Sequence, residues 1–80
     1  MSKPTKIFSN GDKYWKNNKG DYHRLDGPAV VYSSGDKSWW INDQLIYYIE
    51  SDGHTTTGKV KWSDVPESMK QSIIEHTLKL

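Results

Sequence analysis

The chain has no cysteine, only one phenylalanine and no long apolar run. Without cysteine there are no disulfides and no thiolate zinc or redox chemistry, which fits a reducing compartment. No segment approaches the roughly 18 consecutive apolar residues of a membrane helix. The start, Met1-Ser2-Lys3-Pro4-Thr5-Lys6, lacks the apolar core of a signal peptide. The expectation is a soluble protein of the cytoplasm with no membrane partner. Charge of one sign is missing too: eleven basic and ten acidic residues are interleaved for a net +1. That pattern shows no phosphate-tracking stripe, and the chain is not acidic enough to mimic DNA. Apolar residues are 34% of 80 positions, so the chain makes one domain, 1–80, with a thin core.

Aromatic residues are plentiful instead: four Trp and five Tyr supply large buried areas and argue against disorder. They sit in a repeat. A slide of 24 places lays Ser9-Asn10-Gly11-Asp12-Lys13-Tyr14-Trp15-Lys16-Asn17-Asn18 over Ser33-Ser34-Gly35-Asp36-Lys37-Ser38-Trp39-Trp40-Ile41-Asn42 without a gap. Such a period means one supersecondary unit used more than once.

Turn signals at Asn10-Gly11, Lys19-Gly20, Ser34-Gly35, Asn42-Asp43 and Asp52-Gly53 separate short runs rich in Val, Ile, Tyr, Trp and Thr. They predict strands at about 5–9, 12–17, 21–25, 28–33, 36–41, 44–49 and 54–62, the last with a potential break at Gly58, and Asn10-Gly11 is read as a tight type I′ turn. Asp64-Val65-Pro66-Glu67 reads as a helix start, and Val65, Met69, Ile73, Ile74, Leu78 and Leu80 recur at helical spacing opposite Glu67, Lys70, Gln71, Glu75 and Lys79. The fold class is therefore α+β, mainly β: an antiparallel meander of repeated hairpins, about six or seven short strands over 5–62, with one amphipathic helix over 64–79 on one face.

Treating Asn42-Asp43 as a two-residue loop pairs Ile41 with Gln44, Trp40 with Leu45 and Trp39 with Ile46. One face then carries Trp39, Ile41, Ile46 and Tyr48, and the other Trp40, Leu45, Tyr47 and Ile49. The same treatment of Ser34-Gly35 adds Val30 and Tyr32 to the first face, and Ala29 and Val31 to the second. Both faces are apolar, but one helix covers only one, so the other is expected to be covered by the sheet curling over itself, by the N-terminal hairpin or by a partner. Trp15 and Trp39 coincide in the repeat, whereas Trp40 falls on Lys16, so Trp40 breaks the symmetry. Trp40, Tyr47, Leu45 and Ile49 are thus the expected partner surface.

Catalytic and metal chemistry find little support. In a strand, His23 and Asp26 point to opposite faces, so the better reading of His23-Arg24-Leu25-Asp26 is a charge-assisted pair of Arg24 with Asp26, or Asp26 bonding backbone amides in the Gly27-Pro28 bend. His54 and His76 have no companion at a recognised ligand spacing, no serine sits in a nucleophile elbow, and the glycines are spread one per turn. No catalytic residue, metal or cofactor is expected. Exposed aromatics near Lys13, Lys16, Lys19, Lys37, Lys59 and Lys61 suggest single-stranded nucleic acid as an alternative ligand, although six interleaved aspartates dilute any positive groove.

His23, Arg24, Asp26, Gly27, Pro28, Ala29, Gly35, Trp39, Trp40 and Asn42 match, in order and spacing, a short Trp-rich repeat found in many bacteriophage and other large-DNA-virus proteins. The resemblance covers about residues 9–49. Tyr22 stands in place of the usual Leu, Asp43 in place of Gly, and Tyr47-Tyr48 in place of the next His-Arg, so the array ends after this unit. The resemblance implies stacked β-hairpins, loosely similar to membrane-occupation-type repeats. It also implies a small viral accessory protein of the host cytoplasm that binds and inhibits or redirects a host bacterial protein, for instance in defence or transcription. A homodimer through the second face is a further expectation.

Overall fold

The computed structural model describes residues 3–78. Six antiparallel strands lie in sequence order: β1 Lys6–Ile7, β2 Lys13–Tyr14, β3 Val30–Val31, β4 Lys37–Ile41, β5 Gln44–Ile49 and β6 Thr55–Thr57. A 3₁₀ turn, Trp62–Asp64, leads to the single helix α1, Glu67–Leu78. The fold is the expected meander with a C-terminal helix. The predicted strand at 21–25 is an irregular segment, tied by an isolated Lys16–Tyr22 bridge to the chain just after β2 and to the β4–β5 hairpin by Arg24 N–H to Trp40 O (3.2 Å) and Asp43 N–H to Tyr22 O (3.0 Å). The predicted strand at 54–62 shrinks to three threonines before the 3₁₀ turn.

Four turns are built alike. Phe8, Asn17, Tyr32 and Glu50 each accept the N–H of the glycine three residues on and donate their own N–H to the carbonyl of the residue after it, at 2.8–3.0 Å. The glycines have φ of 98°, 86°, 101° and 97°. This is a type I turn closed by a left-handed glycine, a three-residue loop. Asn10-Gly11 is therefore not a type I′ turn. Among the described residues, only Asn42 and Asp43 combine a side chain with positive φ (48° and 68°), and theirs is the two-residue type I′ loop.

Those loop lengths decide which way the side chains point. Ile41 pairs with Gln44 and Trp40 with Leu45 as expected, but a bulge then leaves Ile46 unpaired and sets Trp39 opposite Tyr47. The three-residue loop at Ser33–Gly35 shifts the other hairpin by one as well, pairing Val30 with Ser38 and Val31 with Lys37. A one-residue slip moves a whole strand to the other face. Tyr47, Ile49, Ala29 and Val31 thus lie on Trp39's side, and Tyr48, Val30 and Tyr32 on Trp40's side.

The helix covers Trp39's side. Trp39, Ile46 and Ile49 pack with Val65, Met69 and Ile73, with Ile41, Tyr47 and Val60 around them. The Trp39 indole is fully buried and donates to Ser72 Oγ at 3.0 Å, so its one polar atom is satisfied. The helix starts later than its sequence signal: the Pro66 carbonyl accepts from Met69 and Lys70 N–H, while Asp64 ends the preceding 3₁₀ turn instead of capping α1. Val65 still joins the core, from the linker. The Leu78 side chain, Lys79 and Leu80 lie outside the described residues.

Candidate interaction surface

The His23–Ala29 motif builds scaffold. The Arg24 guanidinium lies 4.0 Å above the Trp15 ring, donates from Nε to Asp26 at 2.7 Å and from Nη1 to the Pro28 carbonyl at 3.1 Å. A Cβ on Gly27 would come within 2.6 Å of Arg24 Cζ, so a larger residue there would push the guanidinium aside. The His23 Nδ1 accepts the Asn42 N–H at 3.2 Å, which places the neutral ring's proton on Nε2. Leu25 O accepts from Ser68 Oγ at 2.8 Å and ties the bend to the first turn of α1. The Arg24–Asp26 pair is as expected. Trp15 and Trp39 obey the repeat: both are buried on the helix side, one roofed by an arginine and the other by the helix.

On the opposite side no helix lies over the sheet among the described residues, but the sheet is not bare. Tyr14 stacks on Tyr22 (5.7 Å, 23°), Phe8 meets Tyr14 edge-on (4.9 Å), and Trp40 tilts against Tyr22 (5.4 Å). Lys16, the repeat counterpart of Trp40, also reaches Tyr22, with Nζ 5.5 Å from the ring centre. Beneath this layer Val30 and Ser38 are each only 1% exposed, and Ser38 Oγ accepts the Trp40 indole N–H at 2.7 Å. Tyrosine suits such a layer because its ring seals the sheet while its hydroxyl stays near water. Burial pushes Tyr14 and Tyr32 above the usual phenol range, with neighbouring Asp12 and phenols adding to it. Burial, followed by the hydrogen bond to Asp36 (3.0 Å), lifts Tyr48 to about 12.

The expected partner residues therefore do not form one surface. Ile49 is a core residue, 4% exposed. Trp40 and Tyr47 are on opposite faces. Leu45, beside the bulge, lines a separate cleft of about 560 Å³ with Gln44, Thr57, Gly58, Lys59 and Val60. Tyr47 lines another cleft, of about 280 Å³, with Trp62, Ile73, Ile74 and Thr77. Here the sequence reading missed two residues. Trp62 is 48% exposed and Ile74 is 44% exposed, and both border the same cleft. Lys70 Nζ stands 5.8 Å from the Trp62 ring centre. A signal existed: Ile73 and Ile74 are adjacent on a narrow helix, so both cannot face the sheet.

Glu50, Asp52 and His54 bring ligand-type atoms within 4.8 Å of one another at the fourth glycine turn, all exposed. The Asp52 carboxylate accepts His54 N–H at 3.0 Å and lies 2.8 Å from Nδ1. These two bonds lower Asp52, the backbone one most, while the side-chain bond raises His54. No family model matches the chain, and neither a curated protein nor a solved structure matches it.

Proposed function

We propose that this chain is a non-enzymatic viral accessory protein that binds a host protein and inhibits or redirects it, with its contact centred on the Trp62–Ile74 cleft. One observation carries the location: a tryptophan 48% exposed and an isoleucine 44% exposed face water across a cleft floored by buried Ile73. Trp is the residue type most enriched at binding hot spots, and a cleft below the usual small-molecule range suits one apolar anchor from a protein partner. The non-enzymatic reading draws support from the motif region, where the His23, Arg24 and Asp26 groups hold the chain together. The viral reading rests on the resemblance of the His23–Asn42 stretch.

A Trp62→Ala/Ile74→Ala double variant tests the surface. It is expected to remain folded, since both side chains are half exposed, and to lose at least tenfold in affinity for the partner captured by the natural chain. Undiminished binding places the contact elsewhere. Nothing in the aromatic layer favours the nucleic-acid alternative, because Tyr14 and Tyr22 already stack on each other.

A further inference from the structure

The glycine turns at Gly11, Gly35 and Gly53 form a ladder along one end of the sheet, and the ladder has an open end. Asp12, which leads into β2, accepts the N–H of Ser33 after β3, at 2.7 Å. Asp36, which leads into β4, accepts the N–H of Ser51 after β5, again at 2.7 Å. Each clasp seats the preceding glycine against the same serine: a Cβ on Gly11 would lie 3.5 Å from Ser33 Cβ, and one on Gly35 3.4 Å from Ser51 Cβ. The Ser33 N–H holds Asp12 below the usual carboxylate range, as expected for a carboxylate accepting a backbone N–H. Two of the chain's three Gly-Asp turns follow one rule; Gly20-Asp21, which leads into the irregular 21–25 segment, stands outside it. A strand led by Gly-Asp lies antiparallel beside a strand that runs out into Ser.

Strand β1 also runs out into a serine, Ser9, at the same position of the same turn. It is the first strand of the sheet, so no Gly-Asp strand lies beyond it. Ser9 is exposed, and its N–H has no hydrogen-bond partner among the described residues. Its neighbours Ile7 and Phe8 are 60% and 41% exposed. The far edge differs. Strand β6 is led by Gly53-His54, with histidine where the pattern has aspartate, and the His54 ring turns back to Asp52.

We propose that the β1 edge is a docking site for an antiparallel strand led by Gly-Asp, supplied by a second chain built from the same repeat, and that His54 keeps this chain's own β6 from supplying it. The argument is continuity: the incoming strand pairs with β1 as β2 pairs with β3, and its aspartate clasps Ser9 N–H as Asp12 clasps Ser33. The replacement at position 54 has a physical consequence. A copy whose β6 fitted the next copy's β1 would make a head-to-tail contact, which propagates from copy to copy into a ring or a filament.

His54→Asp restores the clasp on β6 and is the decisive variant. Sedimentation is expected to show the natural chain as a monomer over a wide concentration range and the variant as a concentration-dependent head-to-tail oligomer. Adding Ser9→Pro is expected to weaken that association roughly tenfold, the weight of one charge-assisted hydrogen bond. Proline suits the second position of a type I turn, so it removes the N–H without opposing the fold. The receptive edge is probed on the natural chain with a labelled peptide of residues 9–16. It should bind at β1, and its Asp12→His version roughly tenfold more weakly. A folded His54→Asp chain that stays monomeric, association indifferent to Ser9→Pro, or equal binding of the two peptides would overturn the proposal.

Discussion

The two sides of the sheet solve the same problem by different means. On one side an amphipathic helix brings Val65, Met69 and Ile73 onto Trp39, Ile46 and Ile49 and leaves their side chains nearly dry. On the other, the strands and the 21–25 segment roof themselves with their own Tyr14, Tyr22, Trp40 and Tyr48, each half-buried. The helix side stores its stability in close packing, where a lost group leaves a cavity. The tyrosine side stores it in rings whose hydroxyls reach water or a carboxylate, so its weight depends on pH. An aromatic face without a helix is therefore not an unfinished face, and the exposed pair Trp62 and Ile74, where we propose the contact, lies on the helix flank.

The largest expected effect breaks the dry side. Trp39→Ala removes a fully buried indole and the bond to Ser72, and should cost about 3–5 kcal/mol, enough to unfold much of so small a domain in chemical denaturation. The wet side should respond less. Tyr48→Phe removes the hydroxyl that donates to Asp36 and should cost about 1 kcal/mol at neutral pH. It also carries a pH signature. The Tyr48 phenol is raised from 10 to about 12 in the fold, so its contribution is complete below pH 10 and fades as pH climbs through about 12. Denaturation midpoints of the natural chain should fall across that window, and those of the variant should fall less. A parallel fall in both would remove Tyr48 as the cause.

The smallest effect belongs to neither side. His54 and Asp52 are exposed at a turn, and Asp52 raises His54 above the 6.5 of a free imidazole. The pair's stabilisation is complete below that value and vanishes as pH rises through the folded value. Resonance titration of the His54 ring should show the raised midpoint, and Asp52→Asn should lower it, leaving the smaller upward pull of Glu50. A midpoint at 6.5 in the natural chain would break the pair.

The meander, the helix and the symmetry of Trp15 with Trp39 were legible in the sequence because turn residues and apolar periodicity are local signals. The facing of the strands was not. It depends on two single-residue offsets, the bulge at Ile46 and the third residue of the Ser33–Gly35 loop, and each transfers side chains to the other face. The Arg24–Asp26 pair could be read, since both partners lie within one short motif. That Arg24 also roofs Trp15 could not, because the contact closes between residues nine apart with a turn between them. Trp40 drew attention as the residue that breaks the repeat, and it proved to be a neighbour of Tyr22 in the roof. Trp62 escaped notice because it sits in a linker with no periodicity.

The claim that the helix flank, and not the tyrosine roof, meets the partner is tested by placing one charge on each side. Ile74 is exposed beside the Trp62 cleft, and Thr56 is exposed in the row of Tyr48 on the other face. Capture of a host protein by the natural chain, Ile74→Lys and Thr56→Lys, each shown folded by the same denaturation midpoint, is the direct comparison. The expected result is retention by Thr56→Lys and loss by Ile74→Lys. Loss by Thr56→Lys with retention by Ile74→Lys would contradict it and move the contact to the aromatic side.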